Sequence, residues 1–229
     1  MLKIEKTVLP SPEQWEIIIE GMRNPMNSWG KMDSRHCSEE FCGCAECDKW
    51  VDYNERMVKC DQDYIIGEND HKLMSSLAKG GAVHAKYRRM IPVWVTINAP
   101  LYFWKEMDRY QVGTVTNSCS TMHKIHAKEF TLADFSCEHL NRNSMRVLEE
   151  TITALNTERE NFLFSGNKYS WWQMIQLLPT SYNQKRTVML NYEVLVNIYH
   201  SRKNHKLDEW HTFCDWIKEL PYSELITGE

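Results

Sequence analysis

Ala99-Pro100 followed by LYFWKEMDRYQVGTVTNSCSTMH, residues 101–123, is the stretch whose reading decides the fold. Just before it Val93, Val95 and Ile97 alternate with Trp94, Thr96 and Asn98, the period of a half-buried strand. Pro100, which lacks an N–H to continue a ladder, stops that strand. Leu101 to Tyr110 then reads as a helix, and the small or polar run Gly113 to Ser120 reads as a loop that presents its backbone.

Working outward, Met1 to Val8 alternates loosely and is expected to form an edge strand. Ser11-Pro12-Glu13-Gln14 supplies a capping serine, a proline at the first helical position and a glutamine to close a capping box, so a helix is expected through Met22. Asn24 to Asp63 is polar and aperiodic and reads as a Cys-rich loop insertion at about 24–63. Asn69 is the expected cap of a helix carrying Leu73, Met74 and Leu77 and ended by Gly80-Gly81. Met145, Leu148, Ile152, Leu155 and Phe162 mark a long amphipathic helix, and Ser170 is the expected cap of another that Pro179 ends. Gln184 to Arg202 and Leu207 to Leu220 read as two closing helices.

At 229 residues and 42% hydrophobic the chain can bury a full core, and it is read as one domain, 1–229, carrying that insertion. A net charge of -4 leaves no basic footprint of the kind duplex binding needs, so nucleic acid is not an expected partner. No apolar run reaches the ~18 residues of a membrane span and no signal segment opens the chain, so neither membrane nor secretion is expected and a cytoplasmic location is.

Cys37, Cys42, Cys44, Cys47 and Cys60 crowd into the insertion beside His36. Thiolates hold zinc tetrahedrally, and the two-residue gap of Cys44-Ala45-Glu46-Cys47 lets both sulfurs face one ion. A structural zinc on Cys42, Cys44, Cys47 and Cys60 is one reading; free thiols on a surface insertion, or disulfides, are the others.

The 99–123 stretch resembles, with one inserted residue, the signature of the ThyX family of flavin-dependent thymidylate synthases, roughly A-P, then R-H-R-x-x-S-x-N-x-x-S-x-R. Arg109 matches the first arginine, Tyr110 stands at the histidine, Gln111 at the second arginine, Thr114 at a serine, Asn117 and Ser120 fit after the insertion, and Met122 stands at the last arginine. Met74 to His84 resembles the family's helix, glycine and histidine that precede this segment. Leu178-Pro179, Asn191, Asn197 and Arg202 keep its downstream L-P, N-x-R, N and R spacing, with Glu193 at the middle arginine. The resemblance, carried by residues 70 to 220 or so, implies an α+β ThyX-like fold, helices around a small, mainly antiparallel sheet, in a divergent member of phage or prophage type.

It further implies FAD bound by His84, Arg109, Tyr110, Asn191 and Asn197, and dUMP or a related pyrimidine nucleotide bound by Ser120 and Arg202. The implied reaction methylates dUMP to dTMP with methylenetetrahydrofolate and NADPH in a homotetramer, and no protein residue is expected to act as the nucleophile, because the cofactor carries the hydride. Glu106 for a glutamine, Met122 for a phosphate-gripping arginine, Ile175 at a further phosphate arginine and Glu193 for an arginine favour a second reading, a non-catalytic binding or regulatory protein on the same fold. A third, in which the Cys-rich segment is a zinc-stabilised interaction module, rests on that segment alone.

Overall fold

The computed structural model describes residues 1–36 and 64–228. In chain order these form β1 (Lys3–Val8), α1 (Pro12–Arg23), β2 (Arg35–His36), β3 (Tyr64–Ile65), α2 (Glu68–Lys79), β4 (Pro92–Pro100), α3 (Leu101–Met107), β5 (Val115–Ser118), α4 (Arg142–Ser165), α5 (Lys168–Leu177), β6 (Asn183–Asn191), α6 (Tyr192–Arg202), α7 (Asp208–Lys218) and α8 (Glu224–Thr227). The expected α+β class holds: helices surround a four-stranded antiparallel sheet of order β1-β4-β6-β5.

Local signals explain the elements that were legible. Ser11 accepts from the Gln14 amide while the Gln14 side chain accepts from the Ser11 N–H at 2.8 Å, closing the capping box that starts α1. In β4, Val93, Val95 and Ile97 are buried and Trp94, Thr96 and Asn98 are only half-buried, as the alternation requires. The buried side of the sheet packs on Phe103, Trp104, Tyr199, Trp210 and Phe213 in the main core, and each such side chain contributes about 1.5–3 kcal/mol on burial. A second cluster, with Leu148, Leu155, Met174 and Tyr182, joins α4 and α5.

Two segments differ from expectation. Residues 184–191 are not the first part of a closing helix: they lie in β6, a central strand paired to β4 on one side and β5 on the other, and α6 begins only at Tyr192. Gln184, Val188 and Leu190 are buried on alternate positions, but charged and polar neighbours disguise that period. Residues 115–118 are likewise an edge strand rather than a loop; every residue of β5 is exposed, so no buried stripe marks it in the sequence. Smaller corrections concern the caps. Gly67, not Asn69, precedes α2; Asn167 accepts from the Tyr169 amide to cap α5, and Ser170 is buried inside that helix.

The base of the insertion is tied down from both ends. β2 pairs with β3, and the carboxylate of Asp70 accepts from the Arg23 guanidinium, from the backbone N–H groups of Asp33 and Ser34 and from the Ser34 hydroxyl. Burial alone would raise the Asp70 pKa, but these hydrogen bonds, the Ser34 hydroxyl foremost, hold it below the usual carboxylate value. Cys37, Cys42, Cys44, Cys47 and Cys60, the expected zinc ligands and their neighbour, lie outside the described residues. His36 is described, and its ring stands 3.4 Å from Glu16.

Candidate functional site

α6 organises the candidate residues because two of its faces do different work. Asn191, the last residue of β6, caps it: the side chain accepts from the Val194 N–H at 3.0 Å. Asn191 therefore stands before the first helical turn, outside the helix that carries Asn197 and Arg202. Its amide also packs against Gly113, where a Cβ would fall 3.1 Å from Asn191 Nδ2 and the backbone has a φ of +79°, so glycine is needed there twice over.

Glu193, Val196, Asn197 and His200 recur at i, i+3, i+4 and i+7 and line a cleft of about 600 Å³. The opposite wall comes from α2 and the turn after it, with Lys79, Gly81 and Ala82, and Glu224, Leu225 and Ile226 of α8 close a third side. A cleft of this size lies within the range of small-molecule and cofactor sites. Arg88, only 7% exposed, lines it too, and its Nη1 stands 3.9 Å from Glu193 Oε2. Glu193, at a position where the resemblance expects an arginine, thus sets a carboxylate beside a buried guanidinium. His84 is exposed and folds back over Gly80, two residues beyond the cleft-lining Ala82.

Arg202 lies nine residues after Glu193, about two and a half helical turns, and so on the far face of α6. There its Nε donates to the Tyr110 hydroxyl at 2.9 Å and its Nη2 to Glu106 Oε2 at 3.2 Å, with the Trp210 ring 4.9 Å beneath the guanidinium. Glu106 Oε1 faces Arg109 at 3.3 Å, although the Arg109 side chain is 67% exposed. Burial first, and the Arg202 charge next, hold the pKa of neighbouring His205 down. Arg109, Tyr110 and Arg202 are therefore brought together, with Glu106 as the bridge, while Asn197 faces the cleft and Asn191 spends its side chain on a cap.

Ser120 is exposed, and its hydroxyl accepts from the His123 N–H at 2.9 Å and the Met122 N–H at 3.3 Å, shaping the turn after β5. Sequence reasoning missed two cations. Arg88 sits in a short basic run, Lys86 to Arg89, that gave no sign of being half buried. Arg186 faces Ser118 across the β5–β6 ladder, donates to Asp108 at 2.7 Å and lies over the Trp104 ring, and reading its segment as a helix hid that placement.

Among solved structures the chain is similar over its whole length to the thymidylate synthase ThyX of Helicobacter pylori crystallised with FAD and dUMP: TM-score 0.60, 14% identity, covering 100% of this chain and 96% of that one. A second structure of that flavin-dependent enzyme with FAD and dUMP matches equally, covering 97% of its chain. A UMP/dUMP methylase, PolB, from Streptomyces cacaoi, bound with 5-Br UMP, matches at TM-score 0.50 and 14% identity over 71% of this chain and 83% of that one. No protein-family model and no curated protein matches the sequence. The chain has the ThyX fold.

Proposed function

We propose that the protein is a flavin-dependent, thymidylate synthase-like enzyme of the cytoplasm that binds FAD and a pyrimidine nucleotide and methylates dUMP to dTMP. The observation that carries this is the cleft between α2, α6 and α8, with Asn197 and Glu193 on its α6 wall, in a chain whose whole length takes the fold of an enzyme solved with FAD and dUMP. The donor set fits a ring system with an anionic tail. Asn197 offers an amide that both donates and accepts, Arg88 and Lys79 offer cations, and two buried polar atoms of the wall, Arg88 Nε and Glu193 Oε2, have no hydrogen-bond partner among the described residues.

Bound there, FAD supplies hydride chemistry, and methylenetetrahydrofolate and NADPH are the proposed carbon donor and reductant. This chain's residues bind and orient: Asn197, Arg88 and Glu193 at the cofactor, Arg202 and Ser120 at the nucleotide, with Tyr110 holding the Arg202 guanidinium in place. The cleft and the Arg202 cluster lie on opposite faces of α6. A homotetramer whose pockets draw on neighbouring copies answers that geometry, and exposed apolar side chains such as Phe164 (95% exposed) and Val112 (93%) are available for burial between copies.

The capture of Arg202 by Glu106 and Tyr110 favours the second reading, a non-catalytic protein on the same fold. A visible spectrum of the purified protein and calorimetric titration of dUMP, with and without FAD, separate the two. A yellow protein with saturable dUMP heat supports the enzyme; no heat for either ligand overturns it.

A further inference from the structure

We propose that Glu193 and Arg88 form a reader for a lactam edge, a ring N–H beside a ring C=O, on the cleft wall. The proposal rests on the reading of the cleft as a ring-binding site and adds which edge of the ring it selects.

Both side chains line the cleft and both are withdrawn from water: Arg88 is 7% exposed and the Glu193 side chain 13%. They do not satisfy each other. The closest approach, 3.9 Å from Nη1 to Oε2, is an ion pair too long for a hydrogen bond, and Arg88 Nε and Glu193 Oε2 are buried with no hydrogen-bond partner among the described residues. Buried polar groups are almost always paired, so two orphans on adjacent side chains of one cleft point to a ligand that pairs them.

The chemistry of the two orphans defines that ligand. A guanidinium only donates and an ionised carboxylate only accepts, so the pair complements a group that offers an acceptor and a donor side by side. Phosphate offers acceptors alone: it would satisfy Arg88 and be repelled by Glu193. An ammonium group would do the reverse. A lactam, with its C=O toward Arg88 and its N–H toward Glu193, satisfies both. The same edge occurs in a flavin ring, a pterin and a uracil. Lys79 and His200, farther along the cleft, are placed for an anionic substituent carried on any of the three.

Three ligand pairs that differ only by a methyl group on the lactam nitrogen test this on the full chain: lumiflavin and 3-methyllumiflavin, pterin and 3-methylpterin, uridine and 3-methyluridine. Affinity is read by fluorescence quenching for the first two pairs and by calorimetry for the third. For the pair whose ring is read at this wall, methylation should weaken binding by about tenfold or more, since a site built to hydrogen-bond a donor rejects the analogue that lacks it. In Glu193→Ala that discrimination should collapse to about twofold or less.

The pair that responds identifies the ring. Equal affinity within every pair, no binding by any of the rings, or full discrimination surviving in Glu193→Ala would each overturn the proposal. Should Glu193→Ala fail to fold, the methylated ligands decide the matter on the wild type. Failure here is distinguishable from failure of the functional reading: dTMP formation without methyl discrimination sinks the lactam reader alone, and discrimination without saturable dUMP binding sinks the enzyme alone.

Discussion

The Arg202 guanidinium is held by the carboxylate of Glu106, Nη2 to Oε2 at 3.2 Å, on the face of α6 turned away from the cleft. Because the other oxygen of Glu106 faces Arg109, one carboxylate neutralises two of the guanidinium groups assigned to ligands. Asp208 and Glu209, the nearest carboxylates that follow Arg202 in the sequence, do not take that place. Instead Asp208 faces His139 and His211, and Glu209 accepts from the Tyr102 hydroxyl.

Arg202→Ala should lower stability whatever its role toward a nucleotide. The side chain is 12% exposed and makes charge-assisted hydrogen bonds worth about 1.5–3 kcal/mol, and in a chain of this size each kcal/mol moves Tm by about 2–4 °C. Arg202→Lys should recover little, as an ammonium cannot reproduce the fork to Glu106 and Tyr110 or the stacking on Trp210. Thermal melts followed by circular dichroism check both, and an Arg202→Ala melt superimposable on wild type would remove Arg202 from the structural network.

Glu106→Gln should have the opposite effect on ligands. Replacing the carboxylate by an amide keeps an acceptor for Arg202 but removes the charge that offsets both arginines, so the cluster becomes more attractive to a nucleotide phosphate. Titrated into the variant at low ionic strength, dUMP should bind more tightly than to wild type, with the gain shrinking as salt rises. Unchanged affinity would mean that the nucleotide is held elsewhere.

The part of this site legible in the sequence was the part fixed by local rules. The capping box at Ser11, the alternation of Val93, Val95 and Ile97, and the glycines after α2 depend on near neighbours, and each matches the structure. What escaped depends on distant partners. Val188 and Leu190 look helical beside Val194 and Leu195 until β4 is known to lie alongside, and Arg88 is unremarkable until Glu193 packs against it from more than a hundred residues away. Asn191, Asn197 and Arg202 keep the spacing the resemblance groups together, yet a strand end and two faces of one helix separate them in the structure.

Asp70 supplies a prediction with a defined pH window. Its native pKa is depressed, so its ionisation contributes stability that is fully present above the unfolded carboxylate value of about 3.9 and is lost as pH falls through the native value. Asp70→Asn leaves the buried Arg23 guanidinium without its counter-charge and should cost about 3–5 kcal/mol at neutral pH. Urea denaturation at pH 7 and at acid pH checks the sign: the gap between wild type and variant should narrow below about pH 4 and not above it.

The assembly prediction follows from the division of the site between two faces of α6. If copies complete each other's pockets, the apolar side chains left in solvent by one protomer should be buried between copies, and Leu163 and Phe164 at the end of α4 and Tyr169 and Trp172 on α5 are prominent among the described residues. Light scattering at micromolar concentration should then give four chains per particle. Phe164→Asp places a charge where an apolar contact is expected and should shift the particle toward smaller species. The protomer fold should survive, since Phe164 is 95% exposed and belongs to neither buried cluster. Loss of FAD binding together with loss of assembly would tie the cleft to its neighbours. A wild-type mass of one chain, or a Phe164→Asp variant that keeps the wild-type mass, would respectively remove the shared pocket or move the interface to another face.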